Sequence, residues 1–217
     1  MKFLKNLGLF LLSLLVVYFG TVTVLTLIYI KVDPPLSTLM VWRAAQGVKI
    51  TPPRPLPLVK IPSFAKKGIV YLEDHNFWTH HGIVLGAIRE AWEANQRTGT
   101  TAYGGSTITQ QLARTLFLFP EKLYTRKALE AGTALILELL LSKERILELY
   151  LNNIEWGPGV FGIEAGARHH FGTGVRNLTK EQIARLEAIV TNPVSFNVKT
   201  YVRNRGMTAR YEALMNW

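Results

Sequence analysis

The sequence contains no cysteine. Disulfides, zinc–thiolate sites and thiol catalysis are thereby excluded, although the compartment is not identified. Charge is scarce as well: Asp, Glu, Lys and Arg make up only 18% of the 217 residues, against 48% hydrophobic residues, which is too apolar for a disordered chain. Acidic residues are the scarcer sign. Against 25 Lys and Arg there are 15 Asp and Glu, so the formal net charge is +10. A greasy, basic chain suits a membrane, an anionic ligand, or both. Alternating strand patterns are few and no internal repeat is present, so the expected class is mainly α. The length fits one domain plus a small additional element.

The apolar excess is concentrated near the amino terminus. Residues 6–30, between Lys5 and Lys31, carry no charge. As a helix they would span roughly 37 Å, more than the ~30 Å of bilayer hydrocarbon. A cleaved signal peptide would have a shorter apolar core and a small-residue cleavage site; this run has no Ala-x-Ala, so it reads as an uncleaved transmembrane anchor. Lys2 and Lys5 flank one end and Lys31, Arg43 and Lys49 the other, so the charge count alone does not orient it. The expected organisation is a tail at 1–5, the anchor at 6–30, a proline-rich juxtamembrane spacer at 31–60 and a folded domain at 61–217. Pro34-Pro35 and Pro52-Pro53-Arg54-Pro55-Leu56-Pro57 give the spacer its extended character. Without Lys2 and Lys5 the remainder still carries 23 basic and 15 acidic side chains. No binding motif interleaves those basic residues with aromatics, so nucleic acid is not an expected partner.

Capping signals mark the helices of the domain. Ser63 would cap a helix to Leu72, Thr107 with Gln110 forms a capping box for a helix to about Leu118, and Thr179 with Gln182 forms another. Ser142 would cap a helix over 143–151. Apolar periodicity predicts helices over 83–95 and 126–141. Residues 97–103, with one glycine among small polar side chains, read as a flap over the cleft.

Three polar clusters could carry chemistry. In the first, Glu73 and Asp74 precede Phe77, Trp78, His80 and Gly82; a carboxyl half-buried against those aromatics suits a general acid or base, and an exposed acidic helix end is the plain alternative. The histidine spacings match no standard zinc motif. In the second, Gly104-Gly105-Ser106-Thr107 and Gln110-Gln111, with Arg114 following, present backbone amides at a helix start, where phosphate binds; a well-capped helix is the plain alternative. No Gly-Lys-Ser/Thr follows, so this is not a nucleotide P-loop. In the third, Arg126, Lys127 and Glu130 share one helix face. Two cations with a carboxylate suit a pyrophosphate, with or without a divalent cation.

These clusters, in this order, resemble the glycosyltransferase family that polymerises peptidoglycan from lipid II. Its motif Glu-Asp-x-x-Phe-x-x-His-x-Gly matches Glu73, Asp74, Phe77, His80 and Gly82. Gly-Gly-Ser-Thr-x-x-Gln-Gln matches Gly104 to Gln111, and Arg-Lys-x-x-Glu matches Arg126, Lys127 and Glu130. A fourth motif matches Lys143, Ile146, Leu147, Glu148, Tyr150, Leu151 and Asn152, and a glycine-containing tract continues through Gly159, Gly162, Ala167 and Phe171. The short length and single anchor are most similar to the monofunctional, biosynthetic branch of the family. Two departures stand out: Arg114-Thr115 replaces the usual Lys-Asn, and Gly166 stands where Ala is usual, which should loosen that helix by up to about 1 kcal/mol.

The resemblance implies a lysozyme-like, mainly α domain behind the anchor, outside the cytoplasmic (inner) membrane. It implies an inverting glycosyltransferase that joins lipid-linked nascent glycan to lipid II through a β-1,4 bond and releases polyprenyl pyrophosphate. Glu73 would be the general base. Lys127, Arg126 and Arg114 would neutralise the pyrophosphate, and Glu130 would orient them or hold Mg or Mn; Glu73 with Asp74 is the other place for such a cation. Ser106, Thr107, Gln110 and Gln111 would line the cleft, while Asp74, Phe77, His80 and Gly82 would brace the first motif. No organic cofactor is implied. Implied partners are the membrane, the lipid substrates, and proteins of cell division or cell-wall synthesis. A lytic glycan-cleaving enzyme of the same fold and a non-catalytic membrane adaptor are the alternatives. The lytic enzyme needs no pyrophosphate-binding cations, and an inactive adaptor should have lost a carboxylate. Relatives with a transpeptidase domain carry Ser-x-x-Lys, Ser-x-Asn and Lys-Thr-Gly. Ser63 with Lys66 and Ser195 with Asn197 match the first two patterns, but Lys199-Thr200 is followed by Tyr201, so no transpeptidase is expected.

Overall fold

The computed structural model describes residues 2–84, 105–120 and 124–217, together with 86, 89, 93, 94, 96 and 97. The helix expected over 83–95 falls largely outside these residues, as do Gly104 and the 97–103 segment apart from Arg97.

The charge-free run forms α1 (Lys2–Tyr29), a helix long and apolar enough to cross a membrane by length and composition. Lys2 to Lys5 belong to this helix, not to a separate tail. Its first half exposes Phe10, Leu11, Leu12, Val16 and Val17. The second half turns one face onto the domain. Val22, Thr26 and Tyr29 recur at helical spacing and are buried. Tyr18 Oη lies 2.8 Å from Thr133 Oγ1. Gly132 allows this approach, since a Cβ there would sit 2.8 Å from Phe19 Cζ.

Residues 31–60 are not the free-standing spacer their proline content suggests. Ser37 caps a short helix, α2 (Thr38–Ala45), whose Thr38 hydroxyl donates to the Leu116 carbonyl at 2.8 Å. Arg43 ion-pairs with Glu155 at 2.8 Å. Beyond it the backbone is fastened residue by residue: Thr51 N–H donates to Gly159 O (2.8 Å), Leu56 exchanges hydrogen bonds with the Asn152 amide, and Leu58 N–H donates to Glu148. Proline removes donors, so the amides of the remaining residues are the ones used.

The domain is built from α3 (Ser63–Glu73), α4 (Ile108–Phe117), α5 (Tyr124–Leu140), α6 (Lys143–Asn153), α7 (Ile163–Phe171), α8 (Lys180–Ala188) and α9 (Arg205–Met215). Thr107 and Thr179 each close a capping box, and Ser142 accepts from Arg145 N–H, as local sequence dictates. Ser63 is the first residue of α3, not its cap; Pro62 occupies that position without a side-chain bond. A small hairpin, β1 (Glu155–Gly157) with β2 (Val160–Phe161), and the C-terminal α9 carry too little local signal to be read from sequence. Gly159, at φ +71°, lets the 48–51 segment pass, because a Cβ would lie 2.4 Å from Lys49 O.

α4 packs on α5 and α6, while α9 packs on α8 and α3. Ile69, Phe77, Leu112, Ile146, Tyr150, Trp156 and Phe161 are fully enclosed between these elements. Burial of each such large apolar side chain favours folding by about 1.5–3 kcal/mol. This core fixes the mutual positions of the C-terminal end of α3, the N-terminal end of α4 and the first turns of α5.

Candidate active site

α3 ends at Glu73, and Asp74 (φ −166°) turns the chain away. Asp74 Oδ2 accepts from Ile108 N–H at 2.9 Å and lies 2.7 Å from His80 Nε2. Gly82 N–H donates to His80 Nδ1 at 2.9 Å, which leaves the ring proton on Nε2 to point at Asp74. Thr107 Oγ1 donates to Gly82 O at 2.7 Å. The loop after α3 is thus stapled to the start of α4, with an aspartate where the helix dipole favours negative charge. Phe77 is wholly buried beneath this loop, and Lys143 Nζ sits 4.6 Å over its ring. Gly82 (φ +91°) has no room for a side chain: a Cβ would approach Glu138 Cγ to 2.9 Å. Asp74, Phe77, His80 and Gly82 are therefore bracing elements of this corner.

Glu73 is held from two sides. Gln111 Nε2 donates to Oε2 at 2.9 Å, and Arg210 Nη2 donates to Oε1. Gln111 Oε1 in turn accepts from Tyr150 Oη at 2.9 Å. Burial, and next the Glu73 charge, push the Tyr150 hydroxyl well above its ordinary range, so it remains a neutral donor. Tyr150 belongs to the fourth motif but carried no sequence-level indication of contact with this site. Arg210 lies outside every motif, 137 residues from Glu73 in the chain, and only the tertiary fold reveals it.

The second carboxylate, Glu130 on α5, is completely buried. Arg126 Nη1 donates to its Oε2 at 2.7 Å, Lys127 Nζ donates to Oε1, and Arg114 Nη1 stands 3.7 Å from Oε2. Three cations surround one anion, and the Lys127 and Arg114 side chains retain 41% and 38% exposure. The Lys127 and Arg114 cations are therefore partly presented to solvent. Lys127 Nζ also donates to Ser106 Oγ at 3.0 Å. The replacement at Arg114 keeps a cation toward Glu130; the neighbouring Thr115 turns its hydroxyl back to Gln111 O at 2.9 Å.

Thr107 and Gln110 are brought to this region, but their polar atoms are committed. They cap α4 reciprocally, and Thr107 also holds Gly82. Both are buried. In this arrangement their polar atoms serve the cap of α4 and the hold on Gly82. The expected divalent cation does not fit these donors. Both Glu130 oxygens face Lys or Arg nitrogens, Glu73 is paired with Arg210, and the inner oxygen of Asp74 is taken by His80 and Ile108. Among the described residues no group of three His, Asp or Glu converges on one point.

The other departure, Gly166 in α7, has a packing reason. A Cβ there would lie 2.6 Å from Trp156 Cβ, and Trp156 is wholly buried. The close approach of helix and indole replaces what an alanine would contribute.

A mainly α domain with one N-terminal apolar helix, built around this carboxylate corner, is of the lysozyme-like class. The chain belongs to the transglycosylase family, whose pattern matches residues 48–216. It is 46% identical to the biosynthetic peptidoglycan transglycosylase of Cupriavidus metallidurans over 68% of this chain and 64% of that protein. It is 37% identical to the protein of that name from Stutzerimonas stutzeri over 96% of this chain and 89% of the relative. To the Dechloromonas aromatica protein of that name it is 49% identical, over 69% and 63% of the two chains. The matched stretch thus spans just under two thirds of the first and third of these relatives.

Proposed function

We propose that the protein is a peptidoglycan glycosyltransferase that polymerises lipid II. The observation that carries this reading is the division of labour between two carboxylates. Glu73 is held on both oxygens by Gln111 and Arg210, and the resemblance of its motif to the family's gives it the role of base. Glu130 is enclosed by Arg126, Lys127 and Arg114, which together exceed its charge. A base beside a cationic cradle suits transfer from a glycosyl pyrophosphate.

In this reading the 4-hydroxyl of lipid II gives its proton to Glu73 as its oxygen attacks the anomeric carbon of the lipid-linked chain. The C–O bond to pyrophosphate breaks in the same displacement, which inverts the α-linkage to β. Pyrophosphate is already a good leaving group, so Lys127, Arg126 and Arg114 need only balance its charge. Ser106 keeps Lys127 in place, and Gln111 keeps Glu73 in place. The lytic alternative needs no pyrophosphate-binding cations, and the Arg126, Lys127 and Arg114 cradle around Glu130 speaks against it.

α1 is read as the membrane anchor. Because lipid II is polymerised outside the cytoplasmic membrane, the domain is assigned to that side. Glycosyl transfer is the only activity assigned, since the transpeptidase pattern breaks at Tyr201. The test is purified protein with labelled lipid II in detergent. Glycan polymer and polyprenyl pyrophosphate should appear and should be lost in Glu73→Gln. Equal product from wild type and Glu73→Gln, or none from either, would overturn the reading.

A further inference from the structure

Behind Glu73 the buried cluster continues past Arg210. Glu187 on α8 is fully enclosed, and neither carboxyl oxygen has a hydrogen-bond partner. Arg210, itself 4% exposed, donates through Nη2 to Glu73 and, at 3.4 Å, to the Glu187 carbonyl oxygen. Its Nε is buried without an acceptor. The space for the Glu187 carboxyl is made by Gly68 on α3, where a Cβ would lie 2.3 Å from Oε2. The charged groups facing Glu187 are Arg210 from α9 and Glu73 from α3. Tyr150 from α6 reaches the same pair through Gln111.

One guanidinium thus ion-pairs with the Glu73 carboxyl and bonds the Glu187 backbone carbonyl, while the unpartnered Glu187 carboxyl lies within its electrostatic reach. A buried carboxyl without a donor is favoured in its neutral form. Burial pushes the Glu187 carboxyl well above the ordinary carboxylate range; Arg210 opposes this and the Glu73 charge reinforces it. In the arrangement seen here the Glu187 carboxyl has no donor and Arg210 is committed to Glu73. A base locked in an ion pair is a weakened base, so something must be able to release it.

We propose that Glu187 is a positioning residue of the same site, which competes with Glu73 for Arg210 and thereby makes the strength of the Glu73 base responsive to pH. When the O–H bond of Glu187 breaks and the proton passes to bulk water, Arg210 gains a second anionic partner. An N–H of the guanidinium then turns to Glu187, and Oε1 of Glu73 is freed to accept the substrate proton. Return of the proton restores the resting pair. This inference rests on the reading of Glu73 as the general base.

The test has a spectroscopic arm and a kinetic arm, both on full-length protein in detergent. Infrared difference spectra of the wild type, followed from acid to alkaline pH, should show a protonated-carboxyl C=O band that persists above the ordinary carboxylate range, disappears on further alkalinisation and is absent in Glu187→Gln. In Arg210→Gln the band should persist to higher pH, because the opposing charge is gone. A band unaffected by either substitution overturns the proposal. In the kinetic arm, kcat/KM for lipid II polymerisation should show an upper step on the alkaline side that Glu187→Gln lacks, leaving it about tenfold below wild type there. Gly68→Ala with Glu187→Ala refills the space with one methyl group and guards against misfolding of the single variant. It too should lose the step, and retention of the step in both variants overturns the proposal. If the wild type makes no polymer, the functional reading falls while the infrared arm still decides whether Glu187 and Arg210 are linked.

Discussion

Glu73 and Glu130, 57 residues apart in sequence, lie at the two ends of one hydrogen-bonded path. Gln111 Nε2 contacts both Glu73 Oε2 (2.9 Å) and Ser106 O (3.3 Å), the Ser106 hydroxyl accepts from Lys127 Nζ, and Lys127 closes the path on Glu130. Glu73 and the cationic cradle are therefore registered to each other through one amide and one hydroxyl from the start of α4. The capping box beneath them keeps that turn in place.

This makes Gln111 the most sensitive link. Gln111→Ala removes the donor to Glu73 and leaves the buried Tyr150 hydroxyl without its acceptor. Loss of a hydrogen bond to a charged group costs about 1.5–3 kcal/mol, or roughly 10- to 100-fold in rate. kcat/KM for polymerisation should fall by that factor, whereas Ser106→Ala, which leaves the Ser106 carbonyl in place, should cost less. Parallel kinetics of the two variants check the order.

Glu130 and Lys127 should behave differently. Glu130→Gln keeps the shape but leaves three cations around a neutral amide, so the fold itself should suffer. Breaking a buried charge cluster from one side costs about 3–5 kcal/mol, visible as a lowered thermal midpoint. Lys127 is partly exposed, and Lys127→Ala should be tolerated structurally while weakening binding of polyprenyl pyrophosphate. Titration with that product at two salt concentrations is the measurement, with the smaller salt dependence expected for the variant.

Much of this corner was legible because its chemistry is local. Thr107 with Gln110 and Thr179 with Gln182 cap within three residues, and Arg126, Lys127 and Glu130 meet on one helix turn. What was not legible is what the fold brings from afar. Arg210 reaches Glu73 across 137 residues, and Tyr150 reaches Gln111 across 39. Residues 31–60 read as a spacer because proline content reports backbone stiffness; it cannot report that Thr51 and Leu56 pair with Gly159 and Asn152. Likewise Thr107 and Gln110 resemble ligand-binding polar residues until their partners are known.

Gly166 gives a prediction against helix propensity. In an open helix Gly→Ala would stabilise by up to about 1 kcal/mol. Here the added methyl would meet Trp156 Cβ at 2.6 Å in a closed core, and overpacking typically costs about 1–3 kcal/mol. Gly166→Ala should therefore lower the thermal midpoint, and the change in near-ultraviolet circular dichroism from the displaced indole reports its cause.

Glu187 gives the sign of a pH effect on stability. Its folded-state pKa is raised, so the native protein holds this proton at pH values where the unfolded chain has released it. The favourable contribution is fully present below the unfolded carboxyl value of about 4.3 and is lost as pH rises through the folded value. Over that window wild-type stability should fall relative to Glu187→Gln by at most about 1.4 kcal/mol per pH unit, because the amide has no proton to lose. The two proteins should differ least in acid, diverge as pH rises above the unfolded carboxyl value, and run parallel once Glu187 has ionised in the fold. Denaturant midpoints measured for both from acid to alkaline pH check this. A constant difference across the range would mean that Glu187 is ionised throughout and that Arg210 carries two anions at once.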